Sequence, residues 1–143
     1  IKSRGLGDVY KRQVERSYQN QISEPIIIVG HSLGANIAPK MATAIGRHNI
    51  PVYYVAMLDP VEPTRVGENV KEITNYYIPK SKDTLLRPTS AFTGELQNEN
   101  LRYWRDGFDH FNIDEKKSLR SVMKRRIVEL TSSSSDDVAA ASN

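Results

Sequence analysis

The sequence predicts an α/β protein, a parallel sheet with flanking helices on both faces, and three observations carry that reading. Two short stretches, Ile26–Val29 and Val52–Leu58, are continuously apolar rather than alternating, as expected of strands buried on both sides. Between them Leu33, Ile37, Met41 and Ile45 recur at helical spacing. Near the end, Leu119, Val122, Met123, Ile127 and Leu130 define the apolar face of a second helix. At 143 residues the chain is one domain at most, and long enough to bury a real core.

Taken in order, Val14 to Ile22 is polar with a weak helical face of Val14, Tyr18 and Ile22, and Ser23-Glu24-Pro25 stops it. The first apolar run then breaks at Gly30-His31-Ser32-Leu33-Gly34, and a helix is expected from Leu33 to about Ile45. Ala35, Ala38, Ala42 and Ala44 let it lie close against a sheet, while Pro39 removes a hydrogen bond from its interior and should kink it. Gly46 ends it, and Pro51 delays the strand Val52–Leu58, which closes at Asp59-Pro60.

Pro60, Pro63 and Gly67 mark a loop, and Val70–Ile78 reads as a third strand stopped by Pro79. From Lys80 to Asp109 the chain is polar and turn-rich, with a short strand expected at Leu96–Leu101 or Leu101–Trp104; the segment is a candidate lid. Asp114 is expected to cap a helix from Glu115 to about Leu130. Residues 131–143, rich in Ser, Asp and Ala, have little to bury and read as a disordered tail.

The five residues from Gly30 to Gly34 match G-x-S-x-G, a pattern that arises by accident in roughly one chain in twenty of this length. Context gives it weight, because a strand precedes it and a helix follows. In that setting the serine sits on a strained corner with its hydroxyl exposed, and the motif glycines Gly30 and Gly34 remove Cβ atoms that would collide. The competing reading is an ordinary strand-to-helix turn with a capping serine.

A serine hydroxyl needs an adjacent base, itself oriented by a third group. Of the three histidines, His31 is expected to point elsewhere as a packing residue, and His48 falls at the wrong end of the first helix. His110, in a loop before the terminal helix, is the candidate base. Asp59 is the favoured acid because it directly follows a buried strand, and Asp83 is the alternative acid, following the next strand by several polar residues. Asp106 and Asp109 lie close to His110 in sequence but have no strand to hold them.

The formal net charge is +3, and the first thirteen residues account for it through Lys2, Arg4, Lys11 and Arg12 against Asp8. Asp8-Val9-Tyr10-Lys11-Arg12-Gln13 resembles the translation of a transposon end sequence used to prepare sequencing libraries. Residues 1–13 are therefore read as an artefactual leader, excluded from fold reasoning, with natural sequence expected upstream of Val14. The remainder is charge-balanced and no nucleic-acid partner is expected. With no cysteine, disulfides and thiol nucleophiles are excluded. No run has the length of a transmembrane segment.

The blocks IIIVGHSLGANIA, VAMLDPV, NVKEITNYYIP and HFNID resemble the thioesterase and lipase-like branch of the α/β-hydrolase superfamily. The resemblance covers about Pro25 to Leu130, so residues 14–130 are expected to form the carboxyl-terminal part of such a domain, a partial α/β-hydrolase fold. It implies Ser32 as nucleophile, Asp59 as acid, His110 as base and the Leu33 N–H as one oxyanion donor. It also implies a second donor from a loop upstream of this sequence, and loss of one donor typically costs about 10²–10³ in turnover. The 143-residue chain is accordingly expected to be weak or inactive, with an exposed apolar edge at Ile26–Val29.

The expected chemistry is hydrolysis of a small-molecule ester or thioester through an acyl-enzyme, with neither metal nor organic cofactor required. Transfer of the acyl group to another acceptor is a related possibility. Tyr53, Tyr54, Tyr76, Tyr77, Phe92, Tyr103, Trp104, Phe108 and Phe111 are candidates for an acyl pocket, although aromatic residues in strands more often pack in cores. A different class of reading is a non-catalytic domain of the same fold that binds a ligand or partner. A third, nucleic-acid binding through the basic amino terminus, rests on the leader alone.

Overall fold

The computed structural model describes residues 25–105 and 107–141. The leader, the polar helix read over Val14–Ile22 and Asp106 lie outside the described residues. The chain runs β1 (Ile26–His31), α1 (Leu33–Gly46), β2 (Val52–Leu58), β3 (Thr64–Val66), β4 (Glu72–Tyr77), β5 (Leu86–Pro88) and β6 (Glu95–Asn100). A 3₁₀ turn at Leu101–Tyr103 and helix α2 (Lys117–Ala141) follow. Strands β1, β2, β4 and β6 form one sheet in that order, every neighbouring pair parallel. Strands β3 and β5 pair in a small parallel sheet of their own.

Burial on both faces explains the apolar runs. Along β2, Val55 and Met57 face α1 while Tyr54, Ala56 and Leu58 face the other way, and all are almost fully buried. The first cluster joins Ile28, Val55, Met57 and Ile73 to Ala35, Ala38, Met41, Ala42 and Ile45 of α1. Ala35, Ala38 and Ala42 have no exposed surface, so the helix backbone lies close on the sheet, as their small side chains allow. The second cluster joins Tyr54, Ala56, Leu58 and Tyr76 to Ile113 and to Leu119 and Met123 of α2. Two apolar layers thus sandwich the sheet.

Pro39 lies inside α1, which continues through it to Gly46, and its carbonyl accepts the Thr43 hydroxyl at 3.1 Å. Asn36, on the same helix and 2% exposed, fixes the loop beyond β2. Its side chain accepts from Val61 N–H at 2.8 Å and donates to the Glu62 carbonyl at 2.7 Å. Because this loop begins at Asp59-Pro60, a buried amide on the first helix restrains the chain that leaves the second strand.

Several expectations are corrected. The loop marked by Pro60, Pro63 and Gly67 contains β3, whose three residues are too few to show a period. The third strand is shorter than Val70–Ile78, with Val70 contributing only an isolated bridge to Val52. The segment Lys80–Asp109, read as hard to assign and as a candidate lid, supplies β5, β6 and the 3₁₀ turn, so much of it belongs to the scaffold. Strand β6 follows the first of the two placements considered, ending at Asn100.

Helix α2 begins at Lys117 rather than Glu115. Asp114 lies in a preceding turn, where the Glu115 N–H donates to the Asn112 carbonyl at 3.0 Å. The helix also runs past Leu130 to Ala141, through residues read as a disordered tail. That stretch contains neither Gly nor Pro, and extending a helix already nucleated by packing costs little per residue.

Candidate active site

Parallel pairing places the carboxyl ends of β1, β2, β4 and β6 along one edge, where open α/β sheets collect functional groups. Ser32 follows β1 and Asp59 follows β2. Their N–H groups donate to the carbonyls of Leu58 at 2.9 Å and Tyr76 at 2.8 Å, extending the sheet's bonding by one residue on each strand. Both residues have positive φ, 60° at Ser32 and 48° at Asp59, in the sparsely populated left-handed half of the map. Strain of this kind persists only where surroundings enforce it, and it gathers at functional sites.

The cause at Ser32 is the close approach of strand and helix. A Cβ on Gly30 would lie 2.3 Å from the Gly34 carbonyl oxygen, so the corner closes only with glycine there. The Ser32 side chain makes no capping hydrogen bond to α1, which removes the ordinary capping reading. Its Oγ instead lies 2.9 Å from His110 Nε2. His110 Nδ1 is 2.7 Å from Asp59 Oδ2. An ionised carboxylate can only accept, so Nδ1 carries the proton; in the neutral ring Nε2 is then the acceptor facing the serine hydroxyl.

Asp59 is 1% exposed and fully engaged. Besides His110 it accepts from Lys80 Nζ at 2.8 Å and from the Ile78 N–H at 3.3 Å, both through Oδ1. The sequence reading did not single out Lys80, although it follows β4 by three residues and so reaches the same edge. Replacement of Lys80 by methionine, which keeps the stem, is expected to destabilise the protein by about 1–2 kcal/mol because a buried carboxylate loses a charged partner. Chemical denaturation checks this; a change within about 0.5 kcal/mol, usual for a surface pair, would contradict it.

The loop carrying His110 organises itself locally. Asp109 Oδ1 accepts from the N–H groups of Phe111 and Asn112, each at 2.8 Å, and Asn112 Oδ1 accepts from the Asp109 N–H at 2.8 Å. Asp109 is thus a turn former. The alternative acid, Asp83, does not reach the site: its exposed carboxylate accepts from Leu85 N–H at 2.9 Å and pairs with Arg87 at 2.8 Å. Those bonds, the backbone one first, hold its carboxyl below the usual aspartate range. His48 lies beyond the far end of α1, as expected from topology.

His31 corrects the reading of it as a packing residue pointing elsewhere. Its Nε2 lies 2.6 Å from the main-chain oxygen of His110, and the two imidazoles are 5.3 Å apart. The first turn of α1 contains no acidic residue, so the positive end of the helix is not neutralised there. Leu33 N–H is among the amides at that end that lack an intrahelical partner.

A cleft of about 340 Å³ is lined by Ile78, Pro79, Leu101, Trp104 and Phe108 together with Arg102 and Arg105, and Ile78 is the residue whose N–H donates to Asp59. Trp104 and Phe108 meet edge to face at 5.8 Å. The other aromatic candidates are dispersed: Tyr54 and Tyr76 join hydroxyls at 3.2 Å in the buried layer under α2, and Phe92 packs with the α1 layer. Burial, followed by the bond to Tyr54, pushes the Tyr76 phenol above its usual range. Tyr103 and Phe111 are exposed.

Among the described residues no three His, Asp or Glu side chains are grouped to hold a metal ion. Nor is any described helix long and apolar enough to cross a membrane. No protein-family model, curated protein or solved structure matches the chain.

Proposed function

We propose that this protein is a serine hydrolase of the α/β-hydrolase type, acting on an ester or thioester. The observation that carries the reading is the linear relay Ser32 Oγ, His110 Nε2, His110 Nδ1 and Asp59 Oδ2, with spacings of 2.9 and 2.7 Å, starting from a serine at φ 60°. The order of the three residues along the chain, Ser, Asp, His, is the one α/β-hydrolases use.

In this reading Ser32 Oγ attacks the acyl carbon while His110 Nε2 takes its proton, and the buried Asp59 carboxylate stabilises the imidazolium through Nδ1. Negative charge on the former carbonyl oxygen meets the Leu33 N–H and the positive end of α1. The imidazolium then protonates the departing alkoxide or thiolate, leaving the acyl group on Ser32. A water molecule, deprotonated by the same nitrogen, releases the acid. Another acyl acceptor in place of water makes the same site an acyltransferase. The cleft at Trp104 and Phe108, which shares Ile78 with the surroundings of Asp59, is the surface assigned to the substrate.

A panel of p-nitrophenyl esters and matched thioesters, read before steady state, tests the proposal. A burst of the leaving group stoichiometric with protein, followed by slower turnover, is expected with the p-nitrophenyl esters because p-nitrophenolate departs readily and acylation then outruns deacylation. Ser32→Ala should remove the burst and lower the rate by at least about 10³-fold. Hydrolysis unaffected by that substitution would refute Ser32 as the nucleophile, and the absence of any burst from the unsubstituted protein would favour a binding domain.

A further inference from the structure

We propose that His31 is a positioning residue, which registers the base against the nucleophile by holding the His110 main chain. The proposal deepens the serine-hydrolase reading and rests on it for its kinetic consequence. Its starting point is the 2.6 Å contact between His31 Nε2 and the His110 carbonyl oxygen. A carbonyl only accepts, so Nε2 carries the proton and the tautomer of His31 is fixed.

The reason such a bond is needed lies in how His110 is carried. It sits in a run of turns between the 3₁₀ segment and α2, outside the sheet, and the hydrogen bonds of Asp109 and Asn112 shape that run only internally. Its ring is held at both nitrogens, but by groups on two different strands, Ser32 after β1 and Asp59 after β2. Neither bond fixes the main chain from which the ring hangs. His31 is the last residue of β1 and the direct neighbour of Ser32. Its bond therefore ties the backbone of the base to the strand end that carries the nucleophile. Rings at 5.3 Å with a 41° tilt leave the two imidazoles side by side, so His31 also limits how far the His110 ring can swing.

Three substitutions separate positioning from packing. His31→Gln can present an amide N–H near the place of Nε2, His31→Asn is too short to reach, and His31→Leu fills space without a donor. Two readouts are taken on the 143-residue chain: the rate at which a fluorophosphonate labels Ser32, and the low-field NMR resonance of the proton between His110 Nδ1 and Asp59. Misplacing a catalytic group by about 1 Å can cost about 10²-fold. Labelling should accordingly fall about 10- to 100-fold in the Asn and Leu variants, with the low-field proton broadened, and stay within about fivefold of the parent in the Gln variant.

A packing role predicts the reverse order, with Leu equal to or better than the amides, and that result would overturn the proposal. If the Leu variant does not fold, the contrast between Gln and Asn decides alone. If the parent chain itself does not label, the hydrolase reading fails, and the low-field proton across the same variants still decides whether His31 holds His110.

Discussion

Asp59→Asn is expected to lower the rate of acylation at Ser32 by about 10³–10⁴-fold while Asp83→Asn leaves it unchanged. The size of the first effect follows from what Asp59 does at once. Its Oδ2 accepts from Nδ1 of His110 at 2.7 Å, which fixes the ring tautomer, and in the proposed mechanism its charge would stabilise the imidazolium formed when Ser32 loses its proton. An asparagine amide can turn its NH₂ toward Nδ1, which would place the ring proton on Nε2 and point a donor at the serine hydroxyl. Burial sharpens the effect, since with 1% exposure no water takes the place of the lost charge. Asp83 is occupied by Leu85 and Arg87 at the surface and provides the control. Single-turnover rates on an activated ester, with thermal melting of each variant, check both arms. Equal effects from the two substitutions would remove Asp59 from its assigned role.

Gly30→Ala is expected to lose more than about 10²-fold in the same assay. The added methyl would stand 2.3 Å from the Gly34 carbonyl oxygen and 2.6 Å from its carbon, both main-chain atoms that no rotamer change can move. The corner must open for it to fit. Opening it relaxes the positive φ at Ser32 and carries Oγ away from Nε2, while overpacking costs about 1–3 kcal/mol of stability. Loss of labelling with a melting transition still present would show that the turn itself is required. Unchanged labelling would show that the serine does not depend on the closed corner.

The layers and the site's principal residues were legible in the sequence for a physical reason. Buried parallel strands such as Val52–Leu58 must be apolar on both faces, and the chain direction they share puts Ser32 and Asp59 on one edge. Topology also placed His48 at the opposite edge, which with His31 set aside left His110 as the candidate base. Strand β6 was harder to see because Glu95–Asn100 is polar in five of six positions and carries no apolar pattern. Its order comes from side chains that act as extra backbone. Asn98 accepts from the Leu86 N–H and donates to the Leu86 carbonyl, each at 2.9 Å, and Asn75 donates to Asn98 at 3.0 Å. Such asparagines look like loop residues until their partners are known.

Lys80 and His31 were illegible for a related reason. Each acts on a residue distant in sequence, at separations of 21 and 79, through a single bond that depends on where the loops come to rest. The terminal helix shows the opposite failure. Its serine-rich end has little apolar surface to signal order, yet the chain continues a helix already begun at Lys117.

The most direct test of the central claim is site mapping of a fluorophosphonate adduct on the native chain by mass spectrometry, beside Ser32→Ala and His110→Ala. A serine activated by the relay is expected to give one adduct, on Ser32, absent from the first variant and slowed by at least about 10³-fold in the second. An adduct on any other residue, or one on Ser32 that forms as fast without His110, would contradict it.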